Sequence, residues 1–407
     1  MSKIILEDST MTNIADAIRN KNGETGQYLP SEMPAKIEAI EIGGSSDMPI
    51  STKYTRNNTF PEVECDPDVY FKNWESDTSK YRLNLDYFLH NLKFTGEKTK
   101  YEVVCNLLQH KIKPCSLVGA FDYSNSIDFH GTLDFSNIDF SDVLSMEYFM
   151  WQTMHINKII FPKDIDTKNL LDISYFLSRC ISIEGVLDLS NFNFTNVYRM
   201  NYAFENDEKL TNIIFPENKM PKMLLYAEGM FYNCNKLAGV DLKNTELNNL
   251  KNAKNMFSQC YAIEELDFTG KSLDECITVT GMFQNCNGLK KLVLPNMPKA
   301  SNPDIFSASR SLKLTDLTFS QDCTFSNATT NATQTLPLTM IWKNSADTLD
   351  YDGITYGQRY ENFANSIGEN TSGKTRTIKL YTTLYNSLTD EQKALLIDKG
   401  YTLSYSS

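Results

Sequence analysis

Three lines of the sequence nearly coincide. Residues 229–242 read GMFYNCNKLAGVDL, 255–268 read NMFSQCYAIEELDF and 281–294 read GMFQNCNGLKKLVL. Their anchors Phe231, Phe257 and Phe283 are 26 residues apart. Looser copies continue upstream to Phe204, Phe176, Phe149 and Phe121 at steps of 27 or 28, and downstream to Phe306 at a step of 23. A unit this short cannot bury its own apolar face, so a chain that repeats it must stack the units. That requirement constrains the fold more than length does: 407 residues with 41% hydrophobic and 22% charged content could otherwise form several ordinary domains.

The second half of each line explains the first. After the anchor comes an apolar frame, Leu237/Val240/Leu242, then Ile263/Leu266/Phe268, Leu289/Leu292/Leu294 and Leu314/Leu317/Phe319. Residues two apart share one face of a strand. Each repeat therefore supplies one short strand with an apolar side, and the anchor Phe with its preceding Met (Met230, Met256, Met282) fills the core from the opposite wall. Cys234, Cys260 and Cys286 sit three residues after their Phe, and Cys180 four after Phe176. They are expected to stack as a column of small buried free thiols. The nine cysteines include no CxxC pair, which argues against a structural zinc site.

The pattern MFxxCxxLxxLDL, with inserts such as LDFSNIDFSDVLSM (133–146) and LDLSNFNFTNVYRM (187–200), resembles the BspA-like leucine-rich repeats of bacterial and phage surface proteins. The resemblance covers about 120–320 and implies an α/β solenoid, a stack of about eight 26–28-residue repeats with parallel strands, used for adhesion or recognition. Repeats 2 and 4 depart from the pattern. INKIIFP and LTNIIFP lack the LD pair and carry Pro162 and Pro216, so shorter strands are expected there.

The two ends differ from the array. In residues 1–42, Thr12 or Asn13 can cap a helix with Ile14, Ala17 and Ile18 on one face, and Ser31 a second helix with Met33, Ile37 and Ile40 on one face. A hairpin this small cannot stand alone, so it should oligomerise or plug into a partner. The phrase IADAIRNKNGETGQYLPSEMPAKIEAI resembles a short N-terminal module of minor structural and tail proteins of phages and prophages of Gram-positive bacteria. That resemblance implies attachment to other virion proteins. Residues 43–49 read as a linker and 50–120 as the N-terminal cap of the solenoid, with helical spacing at 100–110. Beyond 121–325 the period fades into an expected α/β cap, 326–407. A helix is expected over 356–368 and a strand over 375–382. A further helix over 388–400 has Thr389 as cap, Lys399 in its last turn and Gly400 as stop, and a final strand follows. Residues 373–403 also resemble the C-terminal cap of phage proteins with these repeats.

Function classes narrow next. A net charge of −12 argues against nucleic acid as the partner. No stretch is long and apolar enough for a membrane span, and MSKIILEDSTMTN has no apolar core of a secretory leader. The four histidines lie in no HExxH or nucleophile motif, and GxxxxGK[ST] and GxGxxG do not occur. No enzyme and no cofactor are expected. One acidic series is positional: Asp134, Asp188, Asp241 and Asp267 fill the LD[LF] or matching VDL slot, which points outward from the sheet. It is either a solubilising surface or a recognition face, and Glu265 and Lys291 mark where neighbouring repeats differ. The reading is a phage virion protein of the tail tip, baseplate or a fibre. It is made in the host cytoplasm, is homo-oligomeric, and binds a host-surface carbohydrate or protein. A structural decoration of tail or capsid and a bacterial surface adhesin are the alternatives.

Overall fold

The computed structural model describes residues 83–91, 99–122, 127–300, 305–306, 314, 316–319, 333–335, 344–349, 353–370, 373 and 375–406. The expected hairpin with Ile14, Ile18, Met33, Ile37 and Ile40 lies outside the described residues. The chain forms two compact units. The first ends at Asp207 and takes back Ile213–Met223; the second holds Glu208–Asn212 and the chain from Leu224 on.

In the first unit, β1 (Leu83–Asn84) lies parallel to β2 (Pro114–Ser116), and β3 (Gly131–Asp134) lies parallel to β4 (Ile156–Ile160). β5 (Gly185–Asp188) runs beside the Ile213–Ile214 end of β6 (Leu210–Ile214), where the Leu189 N–H donates to the Ile214 carbonyl at 2.9 Å. Leu133 and Leu187 point into the core, and Asp134 and Asp188 point out. In the second unit β7 (Glu265–Asp267), β8 (Lys291–Leu294) and β9 (Asp316–Phe319) form an unbroken parallel sheet in which Leu266, Leu292 and Leu317 are in register. This is the expected parallel-stranded solenoid, with two corrections. β4 and β6, of five residues each, are the longest strands of the array, not the shortest. Their prolines lie beyond the last paired residue, where no ladder bond is lost. Leu237/Val240/Leu242 forms no strand, although the Ala238 N–H still donates to the Thr211 carbonyl.

The opposite wall has a ladder of its own. Phe121 donates to the Phe149 carbonyl, Met150 to Phe176 and Leu177 to Ala203, all at 2.9–3.0 Å. In the second unit Phe231 donates to Met256, Phe257 to Met282 and Phe283 to Ile305. Each bond reaches the residue just before its counterpart. The anchor position is therefore held by Phe121, Met150, Leu177 and Phe204, then Phe231, Phe257, Phe283 and Phe306. Phe149 and Phe176 occupy the neighbouring slot, where sister turns carry Ala120, Ala203, Met230, Met256 and Met282. Two adjacent core positions thus share one large ring and one smaller side chain, alanine, leucine or methionine, in either order. All are at most 2% exposed. The register also places Cys180 three residues after Leu177, in the same position as Cys234, Cys260 and Cys286.

An additional turn precedes the expected eight. Leu85, Tyr87 and Leu89 donate to the carbonyls of Ser116, Val118 and Ala120, which puts Phe88 in the small-or-large slot. The ring of Tyr87 lies where a side chain on residue 119 would begin, 2.7 Å from an ideal Cβ, so glycine is required there. Helix α1 (Phe88–Asn91) belongs to this turn, and α2 (Lys100–Leu107), closed by a Thr99/Glu102 capping box, buries Val103, Val104 and Leu107. These elements lie within 50–120, the segment expected to cap the solenoid.

The C-terminal part holds β10 (Thr333–Thr335), β11 (Thr375–Tyr381) and β12 (Tyr401–Ser406) as a parallel sheet, with α3 (Tyr356–Ser366), α4 (Thr382–Ser387) and α5 (Asp390–Ile397). Thr389 caps α5 in a capping box and Gly400 turns the chain at φ 83°. Lys399 serves a different helix than expected. Its Nζ donates to the carbonyls of Ala364, Asn365 and Ile367 at the C-terminus of α3.

Candidate functional site

The acidic series is exposed as expected, but each carboxylate has a local task. Asp134, Asp188, Asp241 and Asp267 accept from the backbone N–H of Ser136, Ser190, Lys243 and Thr269 at 2.7–2.9 Å. The side chain thus closes the turn that follows it, after a strand at Asp134, Asp188 and Asp267 and after the strandless segment at Asp241. The Thr269 bonds hold the Asp267 carboxyl below the usual range. The series is not contiguous: Asp134 is paired laterally with Ile160, and Asp267 with Val293. Glu265 and Lys291 are partners across β7 and β8, in register and 2.9 Å apart, so their difference is internally compensated.

A second surface escaped the sequence reading. Just before the anchors, Tyr148, Tyr175 and Tyr202 form a ladder of nearly parallel rings. Their centroids are 4.6 and 5.1 Å apart and their planes 9° and 15° apart. Trp151 meets Tyr148 edge-on at 5.7 Å. All four are half-buried. The signal was present, since the three tyrosines are spaced by 27 and 27 residues. Alignment on Phe149 and Phe176 concealed it. The three tyrosines have φ of 56°, 56° and 53°, a left-handed backbone that bulky residues avoid. In the second unit the same position is held by Gly229, Asn255 and Gly281, residues suited to it.

Beside the ladder lie Glu147, Asp172 and Arg199. Ser145, Asp172 and Arg199 are bridged from turn to turn. Burial, then the charge of Asp172, pushes the Glu147 carboxyl up to about 7 against the opposing pull of Arg199. Burial also raises Asp172, whose Oδ1 accepts from the Ser174 N–H at 2.8 Å. The Arg199 guanidinium lies over the Tyr198 ring at 5.2 Å. Aromatic edges, carboxyls and a guanidinium in adjacent ranks suit hydrogen-bonded and stacked recognition.

A third feature is a cleft of about 440 Å³ between β4 and β5. No ladder joins these two strands. Ile183, Leu187 and Phe192 form its buried floor, with Phe161 edge-on to Phe192 at 4.8 Å. Lys158, Lys163, Glu184, Val186 and Asp188 form its rim.

The thiols are structural. Cys180, Cys260 and Cys286 donate to the carbonyls of Met150, Phe231 and Phe257, the anchor position of the preceding turn, at 2.9–3.0 Å. In the same column the Thr153 hydroxyl donates to Phe121 at 2.7 Å. The seven described cysteines are free, and burial pushes the Cys286 thiol up to about 12. Among the described residues no three or more His, Cys, Asp or Glu converge as they would to hold a metal ion.

Residues 200–335 match the family model described as BspA type leucine rich repeat region, in six copies. Residues 115–223 match a family described as Mycoplasma protein of unknown function. No curated protein and no solved structure gives a significant match. Motif, register and family match agree that residues 200–335 are similar to BspA-type leucine-rich repeats, and the described turns upstream of them repeat the same parallel ladders.

Proposed function

We propose that the chain is a recognition protein that binds without turnover, through a rigid preformed surface centred on the Tyr148–Tyr175–Tyr202 ladder. The carrying observation is the cost of that ladder. Each tyrosine holds a left-handed backbone at about 1–2 kcal/mol, where the turn at Gly119 and those of the second unit use glycine or asparagine and only the first turn, at Tyr87, also carries a tyrosine. Ring stacking returns only about 0.5–1.5 kcal/mol per pair. Folding alone gains little from tyrosine there, so the exposed edges are assigned to a ligand, a carbohydrate or protein of a host cell surface. The setting is a phage or prophage particle, at the tail tip, baseplate or a fibre. The N-terminal phrase supports it, with residues 1–42 attaching to other virion proteins and assembling copies. A bacterial surface adhesin is the second reading, favoured by the Mycoplasma family match over 115–223.

Immunogold labelling of intact particles tests the setting: label at one end of the tail is expected, and label confined to the cell envelope favours the adhesin. Binding of the purified full chain to host cells tests the surface. Replacing all three tyrosines by asparagine, which tolerates the backbone, should abolish binding and leave thermal stability equal or higher. Undiminished binding by that folded variant rules the ladder out.

A further inference from the structure

The cleft between β4 and β5 is a fault in one wall of the solenoid. The same two turns are closed on the other wall, where Tyr148 and Tyr175 stack at 4.6 Å and Met150 donates to Phe176 at 3.0 Å. Its origin is local. Phe135 donates to Ile160 as Leu189 donates to Ile214, which fixes a step of 26 residues within each pair. From Phe161 to Leu189, the corresponding points across the fault, the step is 28. Two extra residues intervene, and Gly185 at φ 78° opens β5.

β4 is bonded on its β3 side and β5 on its β6 side, so each turns a strand edge toward the cleft. In the second unit the corresponding step, from β7 to β8 to β9, is continuous. Facing, unpaired strand edges are the groups an added strand satisfies. The charges divide by wall: Lys158 and Lys163 on the β4 side, Glu184 and Asp188 on the β5 side. The floor of Ile183, Leu187 and Phe192 is apolar.

We propose that this cleft is a strand-acceptor site for an extended segment of a partner protein, inserted between β4 and β5 to complete a sheet β3–β4–guest–β5. At about 3.3 Å per residue, β4 accommodates a guest of roughly four to six residues. Alternate guest residues are apolar toward the floor. The outward residues form one row along the guest, with a base level with Glu184 and, two residues on, an acid level with Lys158. The site stands apart from the tyrosine ladder and survives if that reading fails.

The test uses the full chain and capped six-residue peptides in which valine alternates with aspartate, lysine or threonine, each also made with N-methylated alternate amides. The readout is hydrogen exchange. The expected result is at least tenfold slower exchange at amides of both β4 and β5, lost with the N-methylated peptides. Val186→Trp, at a rim position 56% exposed, should block the effect without lowering the melting temperature. A combined Lys158→Glu and Glu184→Lys variant should invert the preference between peptides with opposite charge order. No protection with any peptide, protection on one strand alone, or binding indifferent to N-methylation would each overturn the proposal.

Discussion

Asp207 occupies the position that Cys180, Cys234, Cys260 and Cys286 fill in other turns, and it is wholly buried. Its Oδ1 accepts from the Cys180 N–H at 2.9 Å, while its Oδ2 has no partner. The column calls for a donor: Thr153 and the cysteines each donate to the carbonyl of the preceding anchor. A carboxylate cannot donate, so the fold must either leave Oδ2 unpaired or keep the carboxyl protonated, toward which burial, reinforced by Glu205, raises it well above its usual range. Asp207→Asn keeps the shape and the accepting Oδ1, and it places an N–H₂ where Oδ2 stands, facing the Leu177 carbonyl by register. An unsatisfied buried polar atom costs about 1–3 kcal/mol, so the substitution should stabilise by that amount at pH 7. At roughly 3 °C per kcal/mol the melting temperature should rise by about 3–9 °C. The pH dependence fixes the sign independently. A carboxyl raised in the folded state contributes stability that is complete below the unfolded value of 3.8 and is lost as pH rises through the folded value. Thermal unfolding by circular dichroism at pH 4 to 8 should therefore show the Asn variant's advantage growing with pH. An advantage that is constant over that range, or a variant less stable than the parent at pH 7, would refute the reasoning.

Two further substitutions probe the packing. Cys260→Ser keeps the donor to Phe231 and should cost less than Cys260→Ala, which removes it and leaves a small void, at about 1–2 kcal/mol by urea denaturation. Lys399→Ala removes three bonds from the end of α3 and should cost about 1–2 kcal/mol, with hydrogen exchange faster in the last turn of α3 than in α5.

The repeat architecture was legible because a period needs only approximate residues at regular intervals. Register was less legible, since Phe149/Met150 and Phe176/Leu177 place the ring one slot earlier than Ala120/Phe121, so a phenylalanine alone does not mark the anchor position. Capping chemistry was explicit at Thr389, where side chain and backbone meet within three residues. The task of Lys399 was hidden, because its acceptors lie some 32–35 residues away. For the acidic series, exposure followed from alternation. The bond from each Asp to the N–H two residues on is backbone geometry that no spacing rule exposed. The cleft arises from a two-residue difference in step length, too small to stand out against repeats that vary between 26 and 28.

In a crystal, a lattice absorbs whole added planes without trace, and a partial plane ends in a dislocation. The array behaves the same way at the fault between β4 and β5. Insertion or deletion of one complete turn returns every neighbour to an equivalent position. Adding two residues to one wall leaves a line along which bonding stops while the other wall stays closed. Such chains can therefore lengthen or shorten by full periods at little structural cost, and any fractional change is confined to an exposed defect.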